Sequence, residues 1–223
     1  MYKAILFDFD GTTLDTETPE CASWQEIYTH HGIEFPIDAF HAAVGKGYDQ
    51  TVFEPAFYLS EAIGASDLYE EIRAEQRRIF YEMLHALDCR DGLRDWLAHA
   101  TTSGIRLAVA SSSPRVWVDT HTERLGIKAH FDAFATRDDV GPDRRKPHPD
   151  IFEKACEFLG VSPSEALVIE DSLNGALAAE AAGCDCVVCP NPMTAHMTFT
   201  DSALIVASLA ECHPTGVYKH FRG

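Results

Sequence analysis

Along the second half of the chain, short unbroken apolar runs alternate with longer stretches whose apolar residues recur every three or four positions. The runs Ile105 to Ala110, Phe131 to Thr136, Ala166 to Glu170 and Cys184 to Cys189 predict strands buried on both faces, and Lys3 to Phe7 predicts another at the start. The stretches between them have marked ends. Ser113-Pro114 starts a helix that stops at Gly126, His148-Pro149 one that stops at Gly160, and Ser172 one that stops at Gly183. Strand and helix in alternation predict an α/β fold with a doubly wound parallel sheet.

Residues 17–87 break that rhythm, being rich in helix formers and without a convincing strand, and read as an all-helical insertion. Thr18-Pro19 is expected to cap its first helix and His30-His31-Gly32 to end it. Leu68 to Leu84 has strong amphipathic spacing. The expected division is a core domain of residues 1–16 and 88–223 around a helical cap domain of residues 17–87.

Charge narrows the range of partners. With 35 acidic against 18 basic side chains, a net charge of −17 repels a phosphate backbone or an anionic lipid surface, so neither nucleic acid nor membrane is an expected partner. No apolar run approaches a membrane span and no signal segment precedes the first strand, so the expected location is cytoplasmic. The seven cysteines follow no disulfide spacing. Cys184, Cys186 and Cys189 lie in a strand, where the first two face one way and the third the other, so they read as core residues rather than a zinc site.

Four segments carry chemistry. The first strand ends in Asp8-Phe9-Asp10-Gly11, with two carboxylates two residues apart, a costly pair unless a cation joins them. A hard divalent ion would do so while leaving one oxygen of Asp8 free to attack phosphorus, with Asp10 placed to protonate a leaving group. Taken alone, Asp10-Gly11 also reads as a turn dipeptide. Ser111-Ser112-Ser113-Pro114 joins a strand end to a helix start, an anion site at the positive end of the helix dipole. There Ser111 offers a hydroxyl, and Ser113 reads as the helix cap. In Arg144-Arg145-Lys146-Pro147, Lys146 is the candidate to neutralise both phosphate and carboxylate, while the two arginines read as a solvated loop. Glu170-Asp171-Ser172 ends the next strand and supplies oxygen ligands that suit magnesium. Open parallel sheets bind ligands beyond the carboxyl ends of their strands, where all four segments meet.

In this order and spacing, the four segments resemble the four motifs of the haloacid-dehalogenase superfamily, whose core is Rossmann-like, across nearly the whole chain. The resemblance implies a magnesium-dependent phosphoryl-transfer enzyme. Asp8 matches the nucleophile that is transiently phosphorylated, Asp10 the general acid and base, Ser111 the phosphate-binding residue and Lys146 the basic third motif. Magnesium is implied on Asp8, on the backbone carbonyl of Asp10 and on Asp171, with Glu170 binding directly or through water. Gly11, Ser112 and Ser113 are expected to bind substrate, as are Lys46 and Gly47 of the cap loop, the expected reader of the leaving group.

The subfamily it looks most like contains the sugar-phosphate phosphatases and β-phosphoglucomutase. Two departures favour hydrolysis over the mutase. The mutase pattern has a histidine near the cap entry, where this chain reads Glu17-Thr18-Pro19-Glu20, and a cap arginine beyond a Lys-Gly pair, where Lys46-Gly47 continues as Tyr48-Asp49-Gln50. Arg73 or Arg77 would be the substitutes, although both read as a solvated helix face. The expected function is a phosphatase of small phosphate monoesters, sugar phosphates foremost, acting as a monomer or weak dimer. A phosphomutase, a phosphonatase with Lys46 as its Schiff base, and a non-catalytic binding protein are the alternatives.

Overall fold

A computed structural model describes residues 2–44 and 53–223. Six strands, β1 (Ala4–Phe7), β2 (Arg106–Ala110), β3 (Ala133–Ala135), β4 (Ala166–Glu170), β5 (Asp185–Val188) and β6 (Ala203–Ile205), form one sheet in the order β3-β2-β1-β4-β5-β6. Every pairing is parallel. The chain therefore reverses its direction of growth across the sheet between β1 and β4, which is the switch point where doubly wound sheets open a crevice.

Alternation along the strands divides the core in two. Ile5, Phe7, Leu107, Val109, Leu167 and Ile169 point to one face and pack with α5 (Leu93–Ser103), α6 (Arg115–Arg124) and α10 (Pro214–Arg222). Ala4, Leu6, Ala108, Ala110, Val168 and Val188 point to the other and pack with α8 (Asp150–Leu159) and α9 (Leu173–Ala182). Both faces being covered, the strands show no polar alternation. Cys184 and Cys186 lie in the second cluster and Cys189 in the first, and all seven cysteines are free.

Between β1 and α5 the described residues hold helices and no strand: α1 (Glu17–His30), α2 (Ile37–His41), α3 (Pro55–Ala62) and α4 (Tyr69–His85). They gather Trp24, Ile27, Tyr28, Phe40, Leu59 and Ile72 into a third apolar cluster. The first helix starts earlier than the Thr18-Pro19 signal implies. It opens at Glu17, because the Asp15 carboxylate accepts the Thr18 amide hydrogen at 3.0 Å, and the Thr18 hydroxyl is left buried without a partner among the described residues. The short helix α7 (Arg137–Val140) follows β3.

Among the elements outside the sequence pattern are β6 and α10. Strand β6 is three residues of edge pairing against β5. The C-terminal segment forms α10, which buries Val217 and sets Tyr218 edge-on to Tyr2 at 5.5 Å between ring centroids. Arg222 pairs with Asp185 at 2.8 Å, and the Tyr2 hydroxyl donates to the same carboxylate.

Gly92 starts α5 at φ +84°, where an added Cβ would lie 2.2 Å from the Ala210 amide nitrogen. Gly104 ends the helix at φ +66° with open space around it. In urea denaturation, Gly92→Ala is expected to cost about 2 kcal/mol or more, and Gly104→Ala about 1 kcal/mol, since only the first adds a backbone clash to the left-handed strain. Equal losses would show that the approach to Ala210 carries no weight.

Candidate active site

The carboxyl ends of β1, β2 and β4 bring their polar residues to one edge of the sheet. Asp8 follows β1 directly and its amide donates to the Ile169 carbonyl of β4, which places its side chain at the switch point. Lys146, from the loop before α8, reaches into the same place. Its ammonium donates to Asp8 Oδ1 at 2.5 Å, to Glu170 Oε1 at 2.6 Å and to the Ala110 carbonyl at 2.9 Å. All three acceptors lie at strand ends, so one buried cation ties β1, β2 and β4 together.

Glu170 turns its second oxygen to the amides of Asp171 and Ser172 and to the Ser172 hydroxyl. Behind it, a Cβ on Gly175 would fall 1.8 Å from the carboxylate carbon, so only glycine leaves room there for α9 to begin. Asp171 is held by the Thr12 hydroxyl at 3.0 Å and the Asn191 amide at 2.8 Å. The same Asn191 nitrogen donates to Glu17 at 2.8 Å, joining the start of α1 to the site.

Asp8, Glu170 and Asp171, all buried, offer oxygens within 4.8 Å of one another. Three carboxylate oxygens with no nitrogen or sulfur donor among them are a hard set, which fits magnesium or a similar dication and not a soft metal. The Asp10 side chain is turned elsewhere: its two oxygens accept from the Ser113 hydroxyl at 2.6 Å and from the Trp117 indole at 2.8 Å. Its main-chain carbonyl is the part that the motif assigns to the metal.

The other expected residues fall as follows. Ser111 lines the cavity, and its hydroxyl accepts the Ser113 amide hydrogen at 3.0 Å. Ser112 lines it too, and its hydroxyl is buried with no partner among the described residues. Ser113 does not cap α6; its hydroxyl goes to Asp10 instead, because Pro114 occupies the cap position. Gly11 stands at φ +81°, behind the cavity wall, with its amide on Leu14 and its carbonyl taken by Arg90. A Cβ there would lie 2.4 Å from Asp171. Of the two arginines assigned to a solvated loop, Arg144 is exposed and pairs with Asp150, whereas Arg145 lines the cavity. Lys46 and Gly47 lie outside the described residues.

The cavity measures about 750 Å³. Asp8, Asp10, Ser111, Lys146 and Asp171 form its floor, and Glu17, Glu20, Phe40, Val44, Phe53 and Phe80 face them from the helical segment.

A family model for haloacid dehalogenase-like hydrolases matches residues 2–183. The chain belongs to that family. This hydrolase is 38% identical over 211 residues to the YhcW protein of Bacillus subtilis, covering 95% of this chain and 94% of that protein. It is 29% identical to fructose-1-phosphate phosphatase YqaB of Escherichia coli, covering 83% and 95%. The crystal structure of CbbY from Rhodobacter sphaeroides in complex with phosphate aligns with a TM-score of 0.72 at 29% identity, covering 97% of this chain and 99% of that one.

Burying so many carboxylates together has an electrostatic consequence for the hydrolase. Burial and the charge of Glu170 push Asp8 up to about 8 against the pull of Lys146. Burial holds Asp171 well above its usual range, and Glu17 rises to about 7 from the same cause. For Lys146, burial acts to lower the ammonium, but the charges of Asp8 and Glu170 outweigh it and keep it protonated.

Trp117, Asn191, Thr12 and Glu17 were not expected in the site from sequence. The local signal among them is Thr12, which stands two residues beyond Asp10 in the first motif.

The raised carboxyls predict a pH dependence. An unfolded carboxyl titrates near pH 4, so between about pH 4 and 8 the folded, metal-free protein holds protons that the unfolded chain has released. Its stability falls as pH rises across that window. Thermal unfolding in chelator should show Tm declining from about pH 5 to pH 8, with magnesium raising Tm more at the alkaline end. A magnesium effect independent of pH would argue against metal binding by these carboxylates.

Proposed function

We propose that this chain is a phosphatase of small phosphate monoesters, sugar phosphates foremost, working through a phosphorylated Asp8. The observation that carries the reading is the Asp8 carboxylate, fixed by Lys146 through one oxygen at the switch point of the sheet and facing a cavity floored by anion-binding groups. The relationship to YqaB, whose name gives fructose 1-phosphate as its substrate, supports the substrate class. Residues 1–16 and 88–223 would be the catalytic core and residues 17–87 the cap over the cavity.

In the first step an oxygen of Asp8 attacks phosphorus as the bond to the leaving oxygen breaks, and Asp10 gives that oxygen a proton. Lys146 balances the charge that Asp8 and the phosphoryl oxygens carry together, and the Ser111 and Ser112 hydroxyls can donate to those oxygens. In the second step water attacks the phosphorus of phospho-Asp8, its proton passes to Asp10, and the bond to Asp8 breaks to release phosphate. Asp8, Glu170, Asp171 and the Asp10 carbonyl would hold magnesium, which when bound neutralises the clustered carboxylates and polarises the phosphate.

Phosphate release from a panel of sugar phosphates, with and without magnesium, is the direct test. Release should require magnesium and fall at least about a thousandfold in Asp8→Asn. Magnesium-dependent loss of a sugar phosphate without free phosphate would indicate a mutase instead. Activity that survives Asp8→Asn would overturn the covalent mechanism.

A further inference from the structure

Both oxygens of Asp10 are engaged, and the two donors differ in kind. A serine hydroxyl can donate or accept, whereas an indole N–H can only donate. Trp117 therefore fixes Oδ1 of Asp10 as an acceptor. A proton on this carboxyl can reside only on Oδ2, where the Ser113 hydroxyl can turn from donor to acceptor.

The indole also faces the helical segment. Its ring stacks on Phe80 of α4, with centroids 6.4 Å apart and planes 16° from parallel, and lies 6.3 Å from Tyr81. On its own helix it meets the His121 ring edge-on at 4.1 Å. His121 is buried, and burial, then Arg124 and His85, lower its pKa to about 4, so a neutral ring backs the indole. Trp117 thus has its nitrogen on Asp10 and its ring face against α4.

We propose that Trp117 is a positioning residue for Asp10, holding the side chain by Oδ1 and tying its place to the position of α4. This rests on the reading of Asp10 as the acid of the first step. Whenever α4 shifts over the cavity, the stacked indole shifts with it and re-aims the carboxyl. The proton given up leaves from Oδ2 to the departing oxygen, while Oδ1 keeps its bond to the indole.

The test compares leaving groups. An alkyl alkoxide needs a proton as it departs and p-nitrophenolate does not, and kcat/KM reports the phosphorylation of Asp8 alone. Trp117→Phe keeps the ring and removes the donor. Its loss in kcat/KM should be about tenfold or more greater for a sugar phosphate than for p-nitrophenyl phosphate, carried by kcat rather than KM. In the double variant Trp117→Phe/Asp10→Asn the sugar-phosphate loss should not exceed that of Asp10→Asn, since the indole acts through the carboxyl. Equal losses for both esters, or multiplying losses in the double variant, would overturn the proposal.

A second readout does not depend on activity. The indole N–H resonance of Trp117, one of three tryptophans, is assigned by its disappearance in Trp117→Phe and should move in Asp10→Ala. An unmoved resonance would mean that the contact is absent in solution, and would also overturn the proposal. If Asp10→Asn leaves the sugar-phosphate reaction intact while the resonance does move, the acid role of Asp10 has failed and Trp117 is left as a structural anchor only.

Discussion

The Lys146 ammonium, set between Asp8 and Glu170 and capped by the Ala110 carbonyl, is the interaction on which the site depends. Without a cation there, two buried carboxylates and the end of β2 would face one another across a few ångströms of protein. The arrangement is expensive to form and rigid once formed. It ties three adjacent strands together at the carboxyl edge of the sheet, on either side of the switch point between β1 and β4. A buried lysine with three acceptors has no hydrogen left for substrate. Its contribution to catalysis is charge and placement.

Around that cation the carboxylates divide the work by their surroundings. Asp8 and Glu170 share Lys146, Asp171 is held by neutral donors from Thr12 and Asn191, and Asp10 stands apart with Ser113 and Trp117. Four acids within one small volume can therefore differ in role without differing in chemistry. The neutral donors and the cation between them set where each carboxylate points.

Much of this was legible in the sequence because the principal residues sit at punctuated places. Asp8 and Glu170 close strand-like runs, Ser111 follows one, and Lys146 lies before a proline-led helix, so each could be placed on the same sheet edge before any contact was known. The partners that hold them were not legible. Asn191 reaches Glu17 and Asp171 from a loop after β5, and Trp117 reaches Asp10 from a helix face that reads as ordinary packing. Strand β6 escaped notice because Ala203 to Ile205 is too short to show alternation, and its strand character comes from pairing with β5. Ser113 looked like a helix cap because it stands directly before Pro114, but Pro114 itself takes the cap position and the Ser113 hydroxyl donates to Asp10.

The clasp formed by Tyr2, Asp185 and Arg222 fixes where the two ends of the described chain emerge. Tyr2 precedes β1 and Asp185 opens β5, so both belong to the edge of the sheet opposite the one that bears Asp8 and Asp171. Any sequence joined before Tyr2 or after Arg222 would leave the molecule on the far side from the cavity. Tags, tethers to a surface or a fused second enzyme could be attached at either end without standing in the path of substrate, and the proximity of the ends makes a covalent link between them a short one.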